Sequence, residues 1–128
     1  MNKRIILTAT IFGASAVALG AFGAHGLEDR ISEEQLETWE TAVDYQFYHT
    51  IALLFLSTFS RAKNNFIRVS FVSFVVGILL FSGSLYLLST YSLTGFLKPA
   101  ILGPVTPLGG LAFIVGWVGL FVATLKNK

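Results

Sequence analysis

The sequence lacks cysteine and has few charged residues, and both shortages narrow what the chain can be. Without cysteine, disulfides, thiol catalysis and cysteine-ligated metal sites are excluded. Charged residues make up 12% of the chain, whereas 54% of its residues are hydrophobic. The net charge of +2 comes from basic residues placed between apolar runs. It does not form a patch suited to nucleic acid, so we exclude nucleic-acid binding.

Acidic residues are missing from most of the chain. All seven carboxylates lie in one window, at Glu28, Asp29, Glu33, Glu34, Glu37, Glu40 and Asp44. A soluble domain spreads such residues over its surface, whereas a membrane protein confines them to segments that face water. The window therefore indicates a membrane protein with an acidic segment at 27–40 outside the membrane.

Four apolar segments, at about 5–24, 41–60, 69–90 and 105–125, contain no lysine or arginine. Each is about 20 residues long, which is enough to cross a hydrocarbon core of ~30 Å. They predict an all-α fold in which residues 1–128 form one domain, a four-helix bundle in the membrane. A signal peptide is the alternative for the first segment, but its apolar stretch exceeds the usual ~7–15 residues.

Lysine and arginine mark one side of the predicted bundle. Most of them flank the N-terminus, the loop after the second segment and the C-terminus: Lys3, Arg4, Arg61, Lys63, Arg68, Lys126 and Lys128. The other two loops hold only Arg30 and Lys98. The positive-inside rule therefore predicts that both termini face the cytoplasm. Because the sequence has no transit peptide, we expect a multi-pass protein of a bacterial inner (plasma) membrane, in contact with the lipid bilayer.

Helix signals in the acidic window predict that the second helix extends beyond the outer membrane face. Ser32 is a good N-cap, and Gln35 completes a capping box with it. A helix from Glu33 to about Ser60 would be ~42 Å long, which exceeds the thickness of the bilayer core. Trp39 is then expected in the aromatic belt at the interface.

Glycine and proline cluster at the start of the fourth segment. They predict irregular backbone from Lys98 to Val105, with Thr106 as the helix cap and Pro107 at the first helical position. Such backbone is tolerated at membrane depth only where it is buried in protein or lines water. The outer end of this segment is therefore a candidate part of a site.

The second segment carries most of the polar residues of the predicted bundle. With its outer boundary near Thr41, a polar cluster falls within the membrane: Asp44, Tyr45, Gln46 and His49. Ionisable residues at that depth are costly and are candidates for function. At ~100° per residue, Gln46 and His49 share a face with Ala42 and Leu53, whereas Asp44 lies on roughly the opposite face with Phe47 and Ile51.

Each candidate has a structural and a functional interpretation. His49 is either a neutral imidazole bonded to serine or a backbone carbonyl, or a proton relay or ligand contact. Asp44 either reaches the interface, alone or paired with Arg30 or Lys98, or belongs to a site. His25, Ser84 and Thr106 are possible contributors, His25 as an interfacial cap. Two histidines without ligand spacing do not define a metal site, and we predict no metal, cofactor or catalytic set.

Four motifs, in this order along the chain, resemble those of a known family. They are GAFGAHG at 20–26, WETAVDYQFYH at 39–49, FSGSLY at 81–86, and TPLGG at 106–110 with Gly116-Trp117. The chain resembles the YwdK/YgdD family of small bacterial membrane proteins (domain of unknown function 423), whose eukaryotic relatives are called transmembrane protein 256. The resemblance covers nearly the whole chain. It implies a four-helix integral membrane protein and supplies no activity or catalytic residues.

Three functional hypotheses follow. The leading one is a non-enzymatic interaction, assembly or accessory protein, with a membrane-protein partner or a second copy of the chain. The alternative is a small proton- or cation-linked transporter or channel that uses the polar cluster and the broken end of the fourth segment. A third is a lipid- or quinone-binding enzyme subunit that uses four aromatic residues: Trp39, Tyr45, Tyr48 and Tyr86. A hydrated path to His49 distinguishes the second hypothesis from the first.

Overall fold

The computed structural model describes residues 1–59 and 64–126, of which 85% are helical and none lies in a strand. The helices are α1 (Lys3–His25), α2 (Glu33–Leu56), α3 (Asn65–Gly77), α4 (Gly83–Ser89), α5 (Tyr91–Thr94) and α6 (Pro99–Lys126). A π-helical segment, Ile78–Ser82, joins α3 to α4. The predicted all-α fold class is confirmed. The predicted end of the second helix and the predicted orientation depend partly on four residues that lie outside the described ranges: Ser60, Arg61, Lys63 and Lys128.

Three helical stretches are long and apolar enough to cross a membrane: Lys3–His25, Asn65–Ser89 and Pro99–Lys126. Helix α2 is not among them because it carries five carboxylates together with Gln46 and His49. Much of the surface of the three stretches is apolar and exposed, as at Ile11 (70%) and Phe121 (65%). An apolar surface of this extent is typical of contact with lipid or with another protein.

Helix α2 begins as the sequence predicts. The Ser32 hydroxyl accepts a hydrogen bond from the Gln35 backbone N–H (3.1 Å), and the Gln35 side chain accepts one from the Ser32 backbone N–H (2.9 Å). The helix ends at Leu56, earlier than the predicted Ser60. Ser57 follows as the C-cap, and its hydroxyl donates to the Leu54 carbonyl (2.5 Å), so side-chain bonding to the backbone accompanies the end of the helix.

Helix α1 packs along α2, and α3 packs along α6. Small residues allow the second pair to approach closely: a methyl group added at Gly116 would lie 2.6 Å from the Phe74 ring. One added at Gly109 would lie 2.3 Å from the backbone nitrogen of Phe81, in the π-helical segment. Backbones come this close because packing must replace the hydrophobic effect between apolar helices in lipid.

The helical stretch Asn65–Ser89 changes the helix that it packs against at the π-helical segment. The N–H of Gly83 reaches the carbonyl of Ile78, five residues earlier, as a π-turn requires. Before this segment α3 contacts mainly α6, and after it α4 contacts α2 more extensively than α6. The Ser82 hydroxyl donates to the Ala42 carbonyl of α2 (2.8 Å), which fixes the crossing point.

The prediction of irregular backbone from Lys98 to Val105 is wrong. Helix α6 begins at Pro99 and continues through Pro104 and Pro107. Thr106 is therefore inside the helix and does not cap it; its hydroxyl donates to the Leu102 carbonyl (3.4 Å). Each proline removes a single N–H donor, and apolar helices tolerate this where neighbouring helices and threonine hydroxyls hold the backbone.

Trp39, which the sequence predicts to lie in the aromatic belt at the interface, packs between helices. Trp39 is buried (5% exposed), and its indole N–H donates to the Leu19 carbonyl of α1 (2.8 Å). The ring fits against α1 because Gly23 has no side chain, and it packs on Tyr86 with 4.7 Å between ring centroids. Trp39 therefore joins α1, α2 and α4.

Two hydrogen bonds bring four helix ends together at what we call the basic end. The Asn2 backbone N–H donates to the Ser57 carbonyl (2.8 Å), and the Asn64 amide donates to the Ala123 carbonyl (3.2 Å). The start of α1, the end of α2, the start of α3 and the end of α6 meet there. At the opposite, acidic end, the Gln35 amide reaches the Ser92 hydroxyl of α5 (3.3 Å).

Candidate functional site: a polar cluster between the helices

The inward face of α2 carries polar side chains among apolar ones, as the helical spacing predicts. Gln46 and His49 are 3% and 4% exposed, and the neighbouring Ala42 and Leu53 are fully buried. Asp44 is exposed, and Tyr45 is 38% exposed. The structure thus brings Gln46 and His49 into the space between helices and leaves Asp44 on the outer surface.

Both ring nitrogens of His49 have partners. Nδ1 lies 2.7 Å from the Tyr45 carbonyl oxygen, one turn earlier in α2. The indole N–H of Trp117, in α6, donates to Nε2 (3.1 Å). A carbonyl oxygen accepts only, and the indole N–H donates only, so Nδ1 carries the proton and Nε2 does not. This hydrogen-bond pattern assigns His49 as the neutral Nδ1–H tautomer that links α2 to α6.

Aromatic rings enclose the His49 imidazole. The Phe113 ring is nearly parallel to it, with 3.5 Å between centroids and an angle of 9°. Phe74 and Trp117 approach at 5.5 and 5.8 Å. Tyr45 lies partly over the imidazole (6.2 Å). Protonation of Nε2 would place two N–H donors face to face inside this enclosure and would break the bond from Trp117.

Gln46 joins three helices through one side-chain amide. Its NH₂ group donates to the Phe12 carbonyl and the Ser15 hydroxyl of α1, each at 2.9 Å. Its carbonyl oxygen accepts from the Tyr86 hydroxyl of α4 (2.7 Å). Both donor hydrogens and the acceptor of this amide are thus engaged. Each buried polar side-chain atom in residues 1–59 and 64–126 has a hydrogen-bond partner.

The other predicted contributors lie elsewhere. The Ser84 and Thr106 hydroxyls are 2.6 Å apart and link α4 to α6. His25 is the last residue of α1 and is exposed at the acidic end. Tyr45 packs its ring on Phe81, with 4.7 Å between centroids. None of these four residues donates to or accepts from Gln46 or His49 within the described ranges 1–59 and 64–126, apart from the Tyr45 backbone carbonyl.

The outward face of α2 carries an acidic stripe: Glu33, Glu37, Glu40 and Asp44, all exposed. These residues follow one another at spacings of four, three and four, which places them on one side of a helix. The stripe extends ~16 Å along the axis. Tyr48 (56% exposed) and Ile51 (63%) continue the same face toward the basic end.

Sequence reasoning missed two of the residues that complete the polar cluster, Trp117 and Ser15. Trp117 belongs to the Gly116-Trp117 motif of the family resemblance, but nothing in the sequence indicates its hydrogen-bond partner. The sequence indicates Tyr86 only by its aromatic ring, and the bond from its hydroxyl to Gln46 has no local signal. Trp39 and Tyr86 also line an apolar groove of about 330 Å³ near the acidic end.

The long apolar helices and the polar cluster between them define a helical membrane protein. Comparison with known proteins agrees: a family model described as "Protein of unknown function (DUF423)" matches residues 19–110. The UPF0382 membrane protein YwdK of Bacillus subtilis is 40% identical over 126 residues, 97% of this chain and 98% of the relative. The chain belongs to the DUF423 family, which confirms the resemblance noted in the sequence.

Two further relatives carry the same description, and each matches this chain over nearly the whole length of both proteins. A UPF0382 membrane protein of Staphylococcus epidermidis (strain ATCC 12228) is 41% identical over 126 residues, 97% of each chain. One from Haemophilus influenzae is 40% identical over 127 residues, 99% of this chain and 97% of the relative. No solved structure matches the chain significantly.

Proposed function

We propose that the chain is a four-span inner-membrane protein of bacteria with both termini in the cytoplasm. Helix α2 supplies the fourth span: its 24 residues are ~36 Å long, and it packs against α1 and α4. The basic end carries four of the described basic residues, Lys3, Arg4, Arg68 and Lys126, which the positive-inside rule favours on the cytoplasmic side. The acidic end then faces outward, with the first turns of α2 beyond the membrane.

Within this arrangement the chain acts as a non-enzymatic interaction or assembly protein. The observation that carries this proposal is the exposure of Asp44 on the acidic stripe. Asp44 lies 12 residues before the end of α2 at Leu56, which is ~18 Å along the axis. With Leu56 at the inner boundary of a hydrocarbon core of ~30 Å, Asp44 lies inside that core and faces away from the other helices.

A carboxylate in contact with lipid at that depth is costly, with a penalty of about 2.5–3.5 kcal/mol at the centre of a span. A partner that covers the stripe and supplies hydrogen-bond donors or a positive charge removes this penalty. The four carboxylates also repel one another at their helical spacing, and a basic or polar partner relieves this repulsion as well. The stripe therefore suits a contact with another membrane protein.

The polar cluster supports a structural role and argues against conduction. The hydrogen-bonding groups of Gln46 and both nitrogens of His49 are engaged with other parts of the chain. A transporter that used His49 as a proton relay would have to break the bond from Trp117 and separate the imidazole from Phe113. The cluster instead fixes how α1, α2, α4 and α6 pack.

Photo-crosslinking tests the interaction. A photoreactive amino acid replaces Tyr48, on the face of the acidic stripe, and in a matched variant replaces Ile114, which is similarly exposed (59%) on α6. We expect a discrete protein adduct from position 48 that weakens with Asp44→Asn, and no such adduct from position 114. A product of twice the chain's mass identifies a second copy as the partner. Identical adducts from both positions, or ion flux in liposomes from the protein purified alone, would overturn the proposal.

Cysteine labelling tests the orientation, and the chain suits it because it has no cysteine of its own. Single variants Glu37→Cys and Lys126→Cys place one thiol at each end of the bundle. In intact cells a membrane-impermeant maleimide should label the first and spare the second until the cells are opened. Labelling of both from the same side would show that the four-span arrangement is wrong.

A further inference from the structure

A groove of about 460 Å³ opens at the basic end, between the first turns of α1 and α3. Its polar rim includes Arg4 from α1 and Arg68 from α3, both exposed. Two guanidinium groups from different helices therefore border one concave space. Its volume is in the range usual for small-molecule sites.

The two arginines have no acidic side chain near them in the sequence, because every carboxylate lies in the window from Glu28 to Asp44. Asp44, the acidic residue closest to the basic end, is ~18 Å from the end of α2. The groove is thus a site of concentrated positive charge. An arginine fork matches the oxygens of a phosphate, to which it donates two parallel hydrogen bonds.

The starts of two helices border the groove. Asn2 caps α1 and Asn64 caps α3, and both asparagines line the groove. The asparagine side chains already accept hydrogen bonds from first-turn backbone N–H groups of these helices. The ends of α2 and α6, which carry the negative ends of their helix dipoles, also meet at the basic end. The positive charge that favours an anion in the groove therefore comes from the two arginines.

The lower wall of the groove is apolar, which distinguishes a lipid from a soluble anion. Ile5 and Ile67 are buried at its base. Phe71 and Val72 follow Arg68 by three and four residues, so they lie ~4.5–6 Å further along α3, in the direction of the apolar stretch. Val72 is 49% exposed. Charge at the rim and apolar surface one turn away are the arrangement that an amphiphile requires.

We propose that this groove binds the phosphate headgroup of an anionic phospholipid, with an acyl chain along Phe71 and Val72. The phosphate lies between Arg4 and Arg68, and the glycerol backbone occupies the base of the groove. Basic pockets between helices on the cytoplasmic side of membrane proteins are suited to such headgroups. The inference rests on membrane embedding and is independent of the partner proposed for the acidic stripe.

Native mass spectrometry of the full chain, with phosphatidylglycerol or phosphatidylcholine titrated into mild detergent, tests the site. We expect the wild type to prefer phosphatidylglycerol. Arg4→Gln with Arg68→Gln should weaken this binding about tenfold or more, since each lost bond is to a charged group. The matched control, Lys3→Gln with Lys126→Gln, removes the same charge from the same end but alters no residue that lines the groove. It should weaken binding by less than about threefold.

Three results would overturn the proposal. The first is equal binding of the two lipids by the wild type. The second is an equal effect of the arginine and lysine pairs, which would indicate a diffuse surface charge. The third is displacement of the lipid by inorganic phosphate at an equal concentration, which would indicate a free-anion site. Circular dichroism checks that each variant folds. If the double variant does not fold, Arg4→Gln and Arg68→Gln are measured singly, and each should weaken binding by about threefold or more.

Discussion

Gly109 and Gly110 are neighbours on α6 with different surroundings, so alanine substitutions there separate helix packing from helix propensity. A methyl group added at Gly110 meets nothing within 4 Å. At Gly109 it would lie 2.3 Å from the backbone nitrogen of Phe81 and 2.7 Å from its Cα. In both positions alanine favours the helix over glycine by about 1 kcal/mol, so this gain cancels between the variants.

The geometry sets the size of the difference. Carbon atoms pack favourably at about 3.5 Å or more, so α6 and the π-helical segment would have to separate by roughly 1 Å at Gly109. Overpacking of this kind usually costs about 1–3 kcal/mol. Phe81 contributes backbone atoms, which cannot rotate away, so the upper part of that range is expected. Gly110→Ala should therefore leave the protein unchanged or stabilise it by about 1 kcal/mol. Gly109→Ala should be less stable than Gly110→Ala by about 2–3 kcal/mol.

The assay is unfolding of the purified protein in mixed micelles by increasing sodium dodecyl sulfate, followed by tryptophan fluorescence and circular dichroism. Trp39 is buried and Trp117 is 47% exposed, so both should report loss of packing. The free energies of unfolding of the two variants are compared at the same detergent composition. Equal stabilities would refute the close contact between α6 and the π-helical segment.

Three further outcomes can be measured with the same unfolding assay. Gln46→Leu should cost about 2 kcal/mol, since it removes three interhelical bonds of about 0.6 kcal/mol or more each, whereas Tyr48→Phe on the exposed face should change little. Trp117→Phe should cost about 0.6 kcal/mol, and ¹⁵N NMR should show the His49 Nε2 resonance shift with its donor gone; an unchanged resonance would contradict the bond. Leu97→Gly should stabilise by about 1 kcal/mol, because Leu97 has a φ of 53° that glycine adopts without strain; destabilisation would show that the leucine side chain outweighs that strain.

Local signals in the sequence predict the structure well where residues of a single helix determine it. The capping box of Ser32 and Gln35 locates the start of α2. The helical period also separates the inward Gln46 and His49 from the outward Asp44, as the burial of each residue bears out. Both features depend on residues within a few positions of each other along one helix.

The errors arise where contacts between helices decide the outcome. Pro104 and Pro107 predict a break, but α6 continues because its backbone is held against neighbouring helices. The burial of Trp39 depends on Gly23, which opens a place for the indole ring against α1, and no local pattern indicates this contact. The partner of His49, Trp117, is 68 residues away in the sequence, and no local pattern links the two.

The π-helical segment has a consequence for insertions and deletions. The additional residue of a π-turn rotates all later side chains by about 100° about the helix axis. A deletion within Ile78–Ser82 would restore a continuous α-helix and rotate α4, turning Tyr86 away from Gln46 and Ser84 away from Thr106. Substitutions on the outward side of this segment leave that phase intact. The length of the segment therefore keeps α3 facing α6 and α4 facing α2. The identity of its outward residues matters less.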